Sequence, residues 1–311
     1  MEELLAVQDK CVNRNLTNDS NRMDAAALLV CGCAAALFAI ATPALAQSSG
    51  TSTSPNLSQA EAATYVDLVD LAERSSLVLR AEIRRQTVVE PERSPGLAPG
   101  FVRLYVEART QALIAGTVNV GESLVYLVDV PLNERGKPDK YKDRVMLLFA
   151  EPVPGRPGSI QLVGNEGHLD YSPALEARVR PILTELVARD QPPVVTDVRD
   201  ALAVRGTLAG ESETQVFLGT REGSPVSITV LRRPGQPPAW GVSWGEIIDS
   251  SARAPQPETL RWYRLACSLP ERLPRSANLA REPEARRLAE LDYEYVISQL
   301  GPCVRAITQA G

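Results

Sequence analysis

Phe101-Val102-Arg103-Leu104-Tyr105-Val106-Glu107-Ala108-Arg109 is the stretch on which the fold turns. Val102, Leu104, Val106 and Ala108 alternate with Arg103, Tyr105, Glu107 and Arg109. A period of two belongs to an antiparallel strand with one face in a core and the other in water. Similar runs flank it at Leu77 to Val89, 122–131, 144–150 and 159–164, separated by Pro95-Gly96, Asn119 to Gly121 and Pro152 to Gly158. Short strands punctuated in this way predict a small antiparallel barrel or sandwich. Ahead of them Ser58-Gln59-Ala60-Glu61 is a capping box, and Ala62, Tyr65, Val66, Val69 and Ala72 follow at helical spacing. One helix is therefore expected up to about Arg74.

Downstream, Ser172-Pro173 starts a helix, with Leu175, Val179, Ile182, Leu183, Leu186 and Val187 as its apolar stripe. Gln191-Pro192-Pro193 ends it and marks the best domain boundary in the chain. Thr196 to Val204 reads as a short capped helix, and strands at 214–219, 225–233 and 239–247 read as a three-stranded antiparallel meander. Helices near Glu258 to Leu269 and from Pro283 to Leu300 complete the chain, with Gly301 placed to end the last one. The expected fold class is α+β and β-rich, with a barrel lobe with flanking helices over 58–190 and a smaller α+β lobe with C-terminal helices over 194–311.

The capped helix, the run SSLVLRAEI (75–83), a hairpin and the run GESLVYLVDV (121–130) resemble the OB-like barrels of secreted netrin-type and metalloprotease-inhibitor-type modules over residues 60–165. That resemblance implies an OB-like barrel and assigns no functional residue. The whole chain also resembles exported proteins of Gram-negative alphaproteobacteria, which assigns none either.

Ala25 to Ala46 is an apolar run without a charge, closed by Ala44-Leu45-Ala46 in the small-x-small pattern that signal peptidases cut. Residues 1–46 therefore read as a signal peptide, with Met23 as an alternative start, and 47–57 as a disordered mature N-terminus. The expected address is the periplasm or the outside of the cell. The alternative is an inner-membrane anchor, because such a run is long enough to span a bilayer. Of the five cysteines, Cys11, Cys31 and Cys33 lie in the part expected to be removed. Cys267 and Cys303 remain, an even number in an oxidising compartment, and are expected to form a disulfide bond.

A net charge of −5 and a pI near 5.2 give no general electrostatic reason to bind nucleic acid. Gly241-Val242-Ser243-Trp244-Gly245 matches the G-x-S-x-G nucleophile elbow. The one histidine, His168, precedes Ser243, so the Ser…Asp…His order of such hydrolases cannot be built, and the parity of Trp240, Val242 and Trp244 favours a plain strand. Glu166, His168 and Asp170 alternate and on a strand would point one way, a candidate metal set to weigh against a solvated loop. Lys137, Lys140 and Lys142 lie in one basic loop, suited to an anionic surface or to a solvated hairpin tip. Trp240, Trp244, Trp262 and Tyr263 read as a sugar-stacking platform or as core. No P-loop, dinucleotide fingerprint or EF-hand loop occurs, so no cofactor is expected. The expected function is a non-enzymatic envelope protein with a binding or accessory role, its partner an envelope protein or an anionic surface. The alternatives are a hydrolase using dispersed carboxylates or Ser243, and a membrane-anchored accessory subunit.

Overall fold

The computed structural model describes residues 58–245 and 252–308. The expected signal peptide and the polar stretch after it lie outside the described residues. Among those described, no helix is long and apolar enough to cross a membrane.

Two helices open the fold, α1 (Gln59–Ala62) and α2 (Tyr65–Arg74), where the sequence predicts one. The break falls at Thr64, whose hydroxyl accepts the Asp67 N–H at 3.1 Å while the Asp67 carboxylate takes the Thr64 N–H at 2.8 Å. This second capping box follows the Ser58/Glu61 box directly and restarts the helix.

The chain then forms β1 (Leu77–Val88), β2 (Phe101–Gly116), β3 (Ser123–Pro131), β4 (Val145–Pro152), β5 (Ile160–Leu162) and β6 (His168–Asp170). They make a six-stranded antiparallel sheet in the order β3-β2-β1-β4-β5, with β6 also on β4. The period-two pattern of β2 is realised in the register: Leu104, Val106 and Ala108 are buried opposite Val128, Tyr126 and Leu124. Register shifts along β1 bend the sheet around its inner face. The sheet does not close into a barrel. Between β3 and β5 one parallel bridge, Val125 to Ser159, stands where a closed barrel carries a ladder.

After α3 (Pro173–Leu186), the strands β7 (Val195–Arg205), β8 (Ser212–Thr220), β9 (Val226–Arg232) and β10 (Ala239–Ser243) form a second sheet in the order β10-β9-β8-β7. This sheet has four strands where the sequence predicts three. The short helix expected over 196–204 is β7. Register shifts between Val195 and Asp197 and between Val198 and Asp200 leave Val195, Val198 and Ala201 buried at every third position, a spacing that imitates a helical turn. α5 (Pro283–Leu300) lies against this sheet, α4 (Leu260–Ala266) packs on α3 and α5, and Gly301 ends α5 at a φ of 72° as expected. Asp292 ties α5 to the strands by accepting from the Thr214 hydroxyl and from Arg232 Nε, each at 2.5 Å.

Two apolar clusters result. One lies within the curl of the first sheet and includes Leu79, Ile83, Leu104, Val106, Met146 and Leu148. The other takes Val78, Leu147 and Phe149 from the opposite face of the same sheet and continues through α2, α3, the inner face of the second sheet, α4 and α5. Residues 58–190 and 194–311 thus share a core. The last described residues close it. Asp67, with no exposed surface, accepts the N–H groups of Ala306, Ile307 and Thr308 at 3.0, 3.2 and 2.8 Å and the Thr308 hydroxyl at 2.7 Å. Asp70 takes Arg305 Nε at 2.6 Å and the Tyr263 hydroxyl at 2.5 Å. The expected Cys267–Cys303 disulfide is present, with Cα atoms 5.1 Å apart, and fastens the same segment to α4.

Candidate functional site

The Gln191-Pro192-Pro193 connection runs along a groove between the two sheets. The groove consists of cavities of about 1140 and 640 Å³ that share Asp190, Gln191, Pro192, Trp244 and Arg261 on their walls. α3 stops at Leu186 and its continuation lays Arg189 and Asp190 on one side. The turn between β8 and β9 contributes Arg221 and Glu222, α4 contributes Arg261 and Arg264, and the end of α2 contributes Glu73 and Arg74. Trp244, half-buried just past β10, stands where the two cavities meet.

Two of the arginines on these walls are paired, and two of the acids are held by backbone N–H groups. The buried Arg264 pairs with Glu73 at 2.5 Å, and Arg74 with Glu166 at 2.9 Å. Glu222 accepts the Val194 N–H at 3.2 Å, and Glu185 takes the Leu260 N–H at 2.8 Å at the start of α4. Arg189, Arg221 and Arg261 have no carboxylate within ion-pair distance among the described residues. Five arginines against three carboxylates line the larger cavity of a chain whose net charge is −5.

Comparison with known proteins finds no matching family and no similar curated protein. The site therefore rests on its own chemistry.

Ser243 ends β10, 5% exposed, on the wall of the smaller cavity. The first glycine of its G-x-S-x-G run has a packing cause. A Cβ on Gly241 would collide with the Ala252 carbonyl, because residues 252–253 press against β10 and Arg253 accepts the Val242 N–H. The single imidazole of the chain is elsewhere. His168, the first residue of β6, is buried within the first sheet, its Nε2 3.1 Å from the Tyr126 hydroxyl and its ring edge-on to Tyr141. Burial, reinforced by the Arg144 charge, pushes it down to about 3, so it is neutral at physiological pH.

Glu166, His168 and Asp170 are not brought together. Glu166 sits in a 3-10 turn before β6 and pairs with Arg74, His168 turns inward to Tyr126, and Asp170 pairs with Arg144. Among the described residues no group of three or more His, Cys, Asp or Glu is arranged to hold a metal. Lys137, Lys140 and Lys142 are exposed on the connection between β3 and β4. That loop is held by Asn133, whose side chain accepts the Arg135 N–H at 3.0 Å, and by Gln86, whose amide donates to the Asp139 carbonyl at 2.8 Å. Trp262 and Tyr263 are core residues, the indole N–H donating to the Leu300 carbonyl at 2.8 Å. Of the four aromatic residues considered for stacking, Trp244 alone lines the groove. Sequence reasoning missed the groove's arginines, which come from four separate segments and have no spacing in common.

Proposed function

We propose that the chain is a non-enzymatic exported protein of the periplasm or cell envelope that works by binding, with an OB-like lobe over 58–190 and an α+β lobe over 194–311. The observation that carries this reading is the separation of Ser243 from the one histidine. The serine lies on the groove wall in the second sheet, while His168 is buried and neutral within the first, so the imidazole that a Ser–His pair requires is in another part of the molecule. The OB-like assignment is supported by the strand order β3-β2-β1-β4-β5 and by the parallel Val125–Ser159 bridge between the two outer strands. Export is supported by the uncharged run Ala25 to Ala46 and by the Cys267–Cys303 disulfide, a bond typical of oxidising compartments.

A fluorophosphonate probe tests the non-enzymatic reading. Full-length protein is expected to remain unlabelled, and labelling abolished in Ser243→Ala would replace binding with hydrolysis. Mass spectrometry of protein expressed in a Gram-negative host tests the address. A mature chain beginning at Gln47 is expected, whereas a retained Ala25–Ala46 segment recovered with the membrane would make the protein an anchored subunit.

A further inference from the structure

We propose that the groove between the two sheets binds a polyanion, a ligand presenting several carboxylate or phosphate groups along an extended chain, through Arg189, Arg221 and Arg261. This inference deepens the binding reading and rests on it. The chain carries 38 acidic residues against 33 basic ones, so unpartnered arginines gathered at one concavity run against its overall balance. Of the acids on the groove walls, Glu73 is paired with Arg264, while Glu222 and Glu185 are held in place by the Val194 and Leu260 N–H groups and keep their charges. With the Arg264–Glu73 and Arg74–Glu166 pairs set aside, the larger cavity sets Arg189, Arg221 and Arg261 against Asp190 and Glu222 and keeps an excess of one positive charge among the described residues. Guanidinium groups meet carboxylates and phosphates through two parallel N–H donors, which makes arginine rather than lysine the suitable residue for such a wall. The three lysines of the described chain lie in the other basic region, on the connection between β3 and β4.

The dimensions agree. A cavity of about 1140 Å³ exceeds what a single small ion needs and reaches the upper end of pockets that hold drug-sized ligands. The three guanidiniums come from the α3 exit, the β8–β9 turn and the start of α4, so they surround the groove instead of converging on one point. That arrangement suits repeated charges better than one isolated anion. Trp244 adds a half-buried aromatic surface where the larger cavity opens into the smaller. An indole face there favours a ring-bearing chain such as an acidic oligosaccharide over a bare phosphate chain.

Isothermal titration of the full-length protein with trigalacturonate, inorganic tripolyphosphate and neutral maltotriose tests the proposal. Both anions are expected to bind, with affinity falling as salt rises, and maltotriose is not. The triple variant Arg189→Gln/Arg221→Gln/Arg261→Gln, whose exposed substitutions leave the core untouched, is expected to lose about 10-fold or more in affinity. Trp244→Ala is expected to weaken trigalacturonate and leave tripolyphosphate unchanged, which would assign the ligand to acidic saccharides. Equal weakening of both would assign it to the anionic groups alone. The variant Arg135→Gln/Lys137→Gln/Lys140→Gln/Lys142→Gln is expected to bind like the wild type. Failure of both anions to bind, or loss of binding in that loop variant with the groove variant unchanged, would overturn the proposal. Neither result would alter the fluorophosphonate outcome, so the two readings fail separately.

Discussion

Around the interior of the first sheet, β2 lies between β1 and β3, its immediate neighbours in the chain, and Leu104, Val106 and Ala108 face Val128, Tyr126 and Leu124 a short hairpin away. Around the shared core the decisive partners are remote. Asp67 is met by the backbone of residues 306–308, some 240 positions later. Asp70 is met by Arg305, and α4 is joined to the same segment by the Cys267–Cys303 bond. The first interior is specified by register, because a slip of one residue would turn every apolar side chain of β2 outward. The second is specified by a clasp of hydrogen bonds, charge and one covalent link between distant parts of the chain. Register tolerates the loss of any single contact better than a clasp does.

Phe149 should have the largest effect, because it sits on β4 of the first sheet yet packs into the shared core. Phe149→Ala should cost about 3–5 kcal/mol in denaturant unfolding. Hydrogen exchange should show β1–β4 and β7–β9 losing protection together. Loss confined to β7–β9 would mean that the two regions unfold independently. Replacing both Cys267 and Cys303 by Ser should cost about 3–4 kcal/mol by loop entropy. Its exchange signature should differ, opening 301–308, α4 and α2 while β1–β3 stay protected. Uniform loss would break the contrast between register and clasp.

Asp67→Asn should cost about 2–3 kcal/mol, since several N–H donors would lose a charged acceptor. Burial alone would raise this carboxyl, but hydrogen bonds from Thr308, Thr64 and Ala306 outweigh it and hold it down to about 2. A depressed carboxyl contributes its stability in full above its unfolded value near 4 and loses it as pH falls toward 2. Unfolding midpoints of Asp67→Asn between pH 4 and 2 should therefore fall less steeply than those of the wild type. His168 provides the smallest and most separable effect, and it belongs to the first sheet. The unfolded imidazole takes up a proton below about 6.5 while the folded one, pushed down to about 3, does not. Stability is then full above pH 6.5 and declines by roughly 1.4 kcal/mol per unit below it, about 2 kcal/mol by pH 5. His168→Phe should flatten that decline and leave the limb below pH 4 in place. A wild-type profile already flat from pH 6.5 to 5 would place the imidazole in water.

β1, β2 and β3 were legible because their partners lie close in sequence and β2 and β3 alternate cleanly, whereas the three-residue β6 was not among the expected strands. The end of α5 at Gly301 and the disulfide were legible for equally local reasons: a residue suited to positive φ, and a cysteine count. β7 was misread because its bulges convert a period of two into a period of three. The break between α1 and α2 was missed because Asp67, standing where a capping box more often has Glu, sits inside a continuous apolar pattern. The environment of His168 depended on Tyr126 and Tyr141 arriving from other parts of the chain, which no local pattern announces. The groove was illegible for the same reason on a larger scale, since Arg189, Arg221 and Arg261 become neighbours only when the two sheets are packed.

The seat that Asp67 offers to residues 306–308 also sets a timetable. During synthesis at about 5–20 residues per second, α2 leaves the ribosome roughly 10–50 s before the segment it must receive. In that interval its apolar side has no final partner and its carboxylate only the local Thr64 donors, while the β1–β2–β3 meander can pair as soon as Pro131 has been made. The newborn chain is thus half settled and half waiting.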